Sequence, residues 1–335
     1  HLPVADAAGQ RGQAGNGRFH VGAGGHLLVA RHGADDEAVA LAADAAQLGH
    51  ASEVHQRAGL RQALLERGDQ RLAARQRLGT HGVRYTVPAD WQQGRTTFGG
   101  LLSVLAVQAM RDVCGADWPL RALQTNFVGP VAVGSFDVEV TLLRQGKNIR
   151  QVQARVLQED GQGQPQTCGV LLGVFGAGRT SALPEFRPLA DSIRTGPEDA
   201  AIWPYIEGMM PAFTQHLEFR HAEGGVPFTG SSDNYSRTYT RLKTADGVDP
   251  ELLSVLLADA GPTPALAMLP AFAPASSVSW ALELRPVANV DTQGLWRMDK
   301  DALATGEGYV NEKTSLWTPC GQLAALGYQV VAVYG

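Results

Sequence analysis

The chain has 335 residues, a formal net charge of −5, 44% apolar and 18% charged residues. This balance fits a globular protein and excludes a mostly disordered one, and the mild negative charge offers no basic face for nucleic acid. No apolar run reaches the ~18 residues of a membrane-crossing helix; the longest candidate, Leu323–Val333, is interrupted by Gly327 and Gln329. No segment has the basic start and leucine-rich middle of a secretory signal. Cys114, Cys168 and Cys320 form no CxxC pair and read as reduced, buried thiols of a cytoplasmic protein.

In chain order, residues 1–80 come first and differ from the rest. They contain no Lys, Trp, Tyr, Met or Cys, and Phe19 is their only aromatic residue. They hold 6 of the 9 histidines and 18 alanines, and 9 Arg stand against 8 acidic residues. A packed domain without large anchors is hard to stabilise, because aromatics supply so much buried area. Residues 1–80 are therefore an atypical extension, either one that is disordered or partly helical, or one not native to the protein, with the second reading preferred. Gln56–Leu78, rich in Arg, Leu, Ala and Gln, could form an exposed helix by propensity alone. Gly22-Ala23-Gly24-Gly25 has the look of a dinucleotide loop, but Leu27 replaces its last glycine and no apolar strand precedes it.

From residue 81 onward the chain repeats itself. Leu101-Leu102-Ser103-Val104-Leu105 returns as Leu252-Leu253-Ser254-Val255-Leu256, 151 residues later. Phe127-Val128-Gly129-Pro130-Val131-Ala132 is echoed by Glu283-Leu284-Arg285-Pro286-Val287-Ala288, 156 residues on. Each copy opens with a helix. The first, about Phe98 to Val113, is apolar almost all round and so is a buried helix, with Thr96 and Thr97 as candidate caps. The second begins at Asp249 and Pro250, a good cap and first-turn pair, and ends at Gly261-Pro262.

Strands follow each helix. Phe136–Leu142 alternates as a sheet with one covered face does, and Val152–Leu157 and Val170–Phe175 continue it. In the second copy Val278–Leu284, Leu295–Met298, Tyr309–Trp317 and Leu323–Val333 take the same parts, after opening strands within Ala212–Lys243. The expectation is an α+β fold with two antiparallel sheets, each wrapped around a buried helix, forming an intrachain pseudo-dimer. The halves span 81–178 and 212–335, with a Pro- and Gly-bearing linker at 179–211.

Trp91, Gly94-Arg95-Thr96-Thr97-Phe98-Gly99-Gly100, Asn126-Phe127-Val128-Gly129-Pro130 and Leu143-Arg144-Gln145-Gly146 carry a resemblance. With these motifs the chain resembles the acyl-CoA thioesterase II-like proteins, which are double hotdog thioesterases, over about residues 81–335. The resemblance implies a catalytic Asp, a Thr or Ser, and a Gln, all in the second hotdog. Matched motif to motif these fall on Asp259, Ser277 and Gln329, with Ser276 the alternative if the register shifts by one. Where the family motif has an Asp two residues after the hydroxyl, this chain has Ser279.

The residue types suit the implied chemistry. Thioester hydrolysis needs an aimed water, a group to take its proton, and donors for the oxyanion. Asp259 follows an apolar run, where an ionised carboxylate is costly without a partner. Gln329 interrupts an apolar strand, and its amide can donate and accept together. The residues alone leave open that Asp259 faces solvent at the helix end, that Gln329 is an outward strand position, and that Ser277 merely starts a strand.

The repeat places Gln108 where the second copy has Asp259, and Arg121 where it has Ser277, so the first copy lacks the acid. One site per chain is expected, with the first copy supplying a wall. Gly99 and Gly100 at the helix start are the candidate oxyanion or substrate-binding groups, or else sites of close packing.

No HExxH or paired His/Cys cluster suggests a metal, and His216 and His221 are read as structural. Arg95, Arg144, Lys147 and Arg150 are undistinguished candidates for the CoA phosphates. The expectation is a cytoplasmic enzyme of fatty acid metabolism that hydrolyses acyl-CoA with activated water and needs no cofactor. A non-catalytic acyl-CoA-binding protein is the alternative. A hotdog hydratase ranks lower, because no His follows His221. Attack by the Asp259 carboxylate itself, and further self-association into a homo-oligomer, stay open.

Overall fold

A computed structural model describes residues 75–115, 118–287 and 289–334. Most of the atypical extension, the glycine decoy and residues 56–74 of the proposed helix lie outside the described residues. The last part of that helix is instead a strand. Arg75–Arg77 (β1) pairs antiparallel with Gly82–Val87 (β2), because backbone pairing at a sheet edge overrides weak helix propensity.

The first copy continues with a two-stranded hairpin, Gln92–Gln93 (β3) and Thr96–Thr97 (β4), and the helix Gly99–Cys114 (α1). Strands Leu120–Phe127 (β5), Gly134–Gln145 (β6), Ile149–Glu159 (β7) and Pro165–Gly176 (β8) follow. Ala201–Trp203 (β9), Leu217–Gly224 (β10) and Tyr235–Leu242 (β11) lead to the second helix, Pro250–Ala258 (α2). Ala275–Leu284 (β12), Trp296–Gly306 (β13), Tyr309–Trp317 (β14) and Leu323–Val333 (β15) complete the chain. No described helix is long and apolar enough to cross a membrane.

The helices form where the repeat places them. In α1 every residue from Gly100 to Arg111 is buried, and α2 is buried from Leu252 to Ala258. Asp249 caps α2 by accepting from the Glu251 N–H at 2.9 Å. Thr96 and Thr97 do not cap α1. Thr96 Oγ1 is drawn to the Val131 backbone, bonding its carbonyl at 3.1 Å and its N–H at 3.0 Å. Phe98 occupies the cap position without a side-chain bond, which leaves the first N–H groups of α1 for other partners.

The sheet departs from expectation. The strands build one sheet of thirteen, in the order β1-β2-β6-β7-β8-β5-β12-β15-β14-β13-β11-β10-β9. Two separate sheets would each leave an open edge, and edges attract partners. Here β5 and β12 close on each other, from Ala122 opposite Glu283 to Asn126 opposite Ser279. The junction is locally two-fold. A 156-residue offset carries Gln124 to Trp280 and Thr125 to Ala281, and the register pairs Gln124 with Ala281 and Thr125 with Trp280.

α1 packs on β6, β7 and β8, α2 on β11, β12, β14 and β15, and the helices on each other. Trp91, Phe98, Phe175 and Trp296 are fully buried in the common core. Cys114 and Cys168 are buried as expected, but Cys320 is exposed, in the turn between β14 and β15. A hairpin turn cannot enclose its own tip.

Candidate active site

Asp259 follows the last residue of α2 and keeps helical backbone angles (φ −100°, ψ −4°). That position turns its side chain toward the start of α1. There the Gly100 N–H donates to the carboxylate. A Cβ on Gly99 would stand 2.8 Å from Asp259 Oδ2, and one on Gly100 would stand 2.9 Å from the Leu256 carbonyl oxygen. Glycine at 99 admits the carboxylate and glycine at 100 lets the helices touch, so both readings of this pair have a physical basis.

The other two residues arrive on strands. Gln329 is buried on β15, and its Nε2 donates to Asp259 Oδ1 at 3.1 Å and to Ser277 Oγ at 2.6 Å. An ionised carboxylate only accepts, so the amide nitrogen must face it. Ser277 lies beside an irregularity in β12. The register passes from Ser277 opposite Val331 to Ser279 opposite Val330, leaving Val278 unpaired and exposed. Such a bulge re-aims side chains. Here it brings Ser277 to Gln329, while Ser276 remains exposed. Ser277 Oγ accepts from Gln329, so its own hydrogen is available to donate.

Asp259, Ser277, Gln329 and the α1 N-terminus thus converge from four separate elements. Asp259 keeps part of its surface accessible, but its carboxylate is enclosed. Burial pushes its pKa up to about 6, against the lowering effects of Lys300 and of the Gln329 hydrogen bond. A carboxylate so placed is ionised at neutral pH and more basic than a solvated one.

Two charged groups here were not anticipated. Lys300 on β13 and Glu312 on β14 form a buried ion pair, Nζ to Oε1 2.7 Å, beside Asp259. Alternation of β13 and β14 was the available signal, since it turns both residues to the helix side. A cavity of about 350 Å³ opens at the β5–β12 junction, with Gln329 and Glu312 among its lining residues. Gln124, Asn126, Asn311 and Tyr328 line it and are exposed, so it lies on the sheet face away from the helices, and Asp259 does not reach it.

The two histidines are stacked instead of converging on the site. His216 lies on Trp91 with ring centres 4.2 Å apart, its Nε2 3.3 Å from Asp90 Oδ2, and His221 stacks on Trp203 at 5.0 Å. Arg150 stacks on Trp118 at 4.1 Å and bonds the Cys114 carbonyl. Among the described residues no group of His, Cys, Asp and Glu is arranged to hold a metal.

A sheet doubled by repetition and packed on two helices is a hotdog-type arrangement, and a carboxylate, an amide and a hydroxyl converge beside one helix start. The family model for the acyl-CoA thioesterase N-terminal domain matches residues 87–176, and that for the C-terminal domain matches residues 197–333. The chain belongs to the acyl-CoA thioesterase family: it is a thioester hydrolase whose class of substrate is acyl-CoA.

Solved structures agree in fold. A conserved protein of unknown function with a hot dog fold from Alicyclobacillus acidocaldarius is 18% identical, with 78% of this chain and 96% of that one covered and a TM-score of 0.64. The tesB protein of Mycobacterium avium subs paratuberculosis is 16% identical over 79% and 98% of the chains, TM-score 0.63. Acyl-CoA thioesterase II TesB2 from Mycobacterium marinum is 14% identical over 78% and 96%, TM-score 0.60. At these identities the likeness is one of fold. No curated protein sequence matches the chain.

Proposed function

We propose that the chain hydrolyses fatty acyl-CoA thioesters to free acid and CoA, with Asp259 as general base and Gln329 and Ser277 holding the attacking water. The two halves act as paired hotdogs in a pseudo-dimer, with a single site at the start of α1. The observation that carries this reading is the enclosed Asp259 carboxylate, hydrogen-bonded by the same amide that bonds Ser277.

In the first step the water oxygen bonds to the thioester carbonyl carbon and its proton passes to an Asp259 oxygen. The Gln329 carbonyl oxygen and the Ser277 hydroxyl orient that water. Negative charge develops on the carbonyl oxygen, and the Gly99 N–H stabilises it together with the positive end of the helix, the Gly100 N–H being held by Asp259. Collapse of the intermediate breaks the carbon–sulfur bond, and the leaving thiolate takes the proton back from Asp259. Atoms and charge balance without any other co-reactant.

The test is free-thiol release from short-, medium- and long-chain acyl-CoAs by wild type and Asp259→Asn. Hydrolysis that disappears in the variant supports the assignment, and the panel names the chain length. Full activity in the variant would remove Asp259 from the chemistry. Acyl-CoA binding without thiol release by wild type would make the chain a non-catalytic binder.

A further inference from the structure

The Lys300–Glu312 pair has no part in the reaction just described, yet it is among the most deeply buried polar features of the molecule. The Lys300 side chain is 2% exposed and that of Glu312 0%. A buried ion pair is weak evidence for stability, since well-packed apolar residues often serve as well or better. Its position offers another reason. Lys300 Nζ also donates to the Gly261 carbonyl at 2.9 Å, two residues beyond Asp259. Glu312 sits directly opposite Gln329 in the β14–β15 register. The pair therefore bridges the chain leaving Asp259 to the strand neighbour of its amide partner.

We propose that Lys300 is a positioning residue for the site: anchored by Glu312, it fixes the turn at Gly261 and so sets a cation behind the Asp259 carboxylate. This rests on reading Asp259 as the base. A general base must be a carboxylate when substrate arrives, and enclosing one favours the protonated form. A cation beside it offsets that penalty. Direct contact would instead neutralise the carboxylate and weaken it as a base; the ion pair with Glu312 and the hydrogen bond to Gly261 hold the ammonium in place for through-space action.

The surroundings leave little else to fill this role. The charged groups that bear most on Asp259 are Lys300, which favours its ionised form, and Glu312, which opposes it. From the other packed elements, α1 presents the Gly100 N–H, β15 presents Gln329 and β12 presents Ser277. On β11, which packs on α2, the buried residues Ser236, Thr238 and Thr240 are uncharged.

The test is a pH titration of the Asp259 carboxyl carbon by NMR on the full chain, its signal assigned by its loss in Asp259→Asn. Lys300→Met is expected to raise the midpoint by a unit or more, and Glu312→Gln to lower it. Lys300→Arg, which keeps the charge, is expected to hold it near wild type. In hydrolysis assays the acid limb of kcat should follow these midpoints, so that Lys300→Met is about tenfold slower than wild type below its midpoint and recovers at high pH. KM for acyl-CoA should stay within about threefold.

A merely structural pair would shift both variants the same way or neither, and either outcome overturns the proposal. If Lys300→Met fails to fold, Glu312→Gln decides alone: a midpoint that does not fall is fatal to the idea. The titration needs no turnover, so a wild type that hydrolyses nothing defeats the thioesterase reading while leaving the role of Lys300 decided.

Discussion

Where α1 begins, the Gly100 N–H meets the Asp259 carboxylate; where α2 begins, Arg111 meets Asp249 and Glu251. The repeat relates these two ends of one helix pair. Its 151-residue offset carries Gly100 to Glu251 and Gln108 to Asp259. At the α2 end a guanidinium from one helix bonds two carboxylates on the other, and Glu251 also accepts from the Leu120 N–H at 2.8 Å. Burial lowers the pKa of Arg111, but Glu251 and Asp249 outweigh it and hold the group ionised. At the α1 end the carboxylate has an amide, a backbone N–H and a cation at one remove. The same backbone thus makes a clamp at one end and a base at the other, and the difference lies in whether opposite charges touch.

Breaking the poised end should have the largest effect. Asp259→Asn is expected to lower thiol release by about 10³-fold or more, as loss of a general base does. Breaking the clamp should instead cost stability. Arg111→Met leaves two carboxylates without their cation, and a loss of about 3–5 kcal/mol is expected in denaturant unfolding, with kcat of the folded protein within about twofold of wild type. Gln329→Leu removes the amide from the site and should reduce kcat by about 10²-fold, with the protein still folded by circular dichroism.

A smaller effect sharpens the contrast through pH. The folded pKa of Asp259, about 6, lies above its ordinary 3.8. The folded state therefore binds the proton more tightly than the unfolded state. Asp259 favours folding below about pH 4, and that contribution is lost as pH rises through 6. Asp259→Asn should then be more stable than wild type by about 3 kcal/mol at pH 7.5, and the gap in Tm should close toward pH 4. Thiol release by wild type should rise with pH through the same midpoint. Gly99→Ala should act least, by crowding Asp259 Oδ2; a fall in kcat of about tenfold with little change in Tm would separate close approach from packing.

Much of this was legible in order along the chain. The Leu-Leu-Ser-Val-Leu helices are apolar on every side, and only burial suits such a surface. Tyr309–Trp317 and Leu323–Val333 form strands with the expected limits, because each is bounded by turn residues and Leu323–Val333 is a nearly continuous apolar run. Asp259, Ser277 and Gln329 could be picked out by family resemblance, and the repeat set Asp259 apart by putting Gln108 in the other copy.

Other features depend on register between distant segments, which no local pattern encodes. Leu120–Phe127 carries Arg121, Gln124 and Asn126 and does not read as a central strand, yet pairing on both sides makes β5 one. That pairing also fuses the two expected sheets. Thr96 has the chemistry of a cap, but a backbone 35 residues away competes for its hydroxyl and wins. Lys300 and Glu312 sit in charged stretches that look like solvent-facing strand. Alternation alone says that one face is inward; the long-range contacts of β13 and β14 decide which face it is, and so bring a cation and a carboxylate beneath Asp259. Composition and periodicity determined the elements and the residue types available for chemistry. The tertiary structure decided which charges touch, because that depends on distances between residues far apart in the chain.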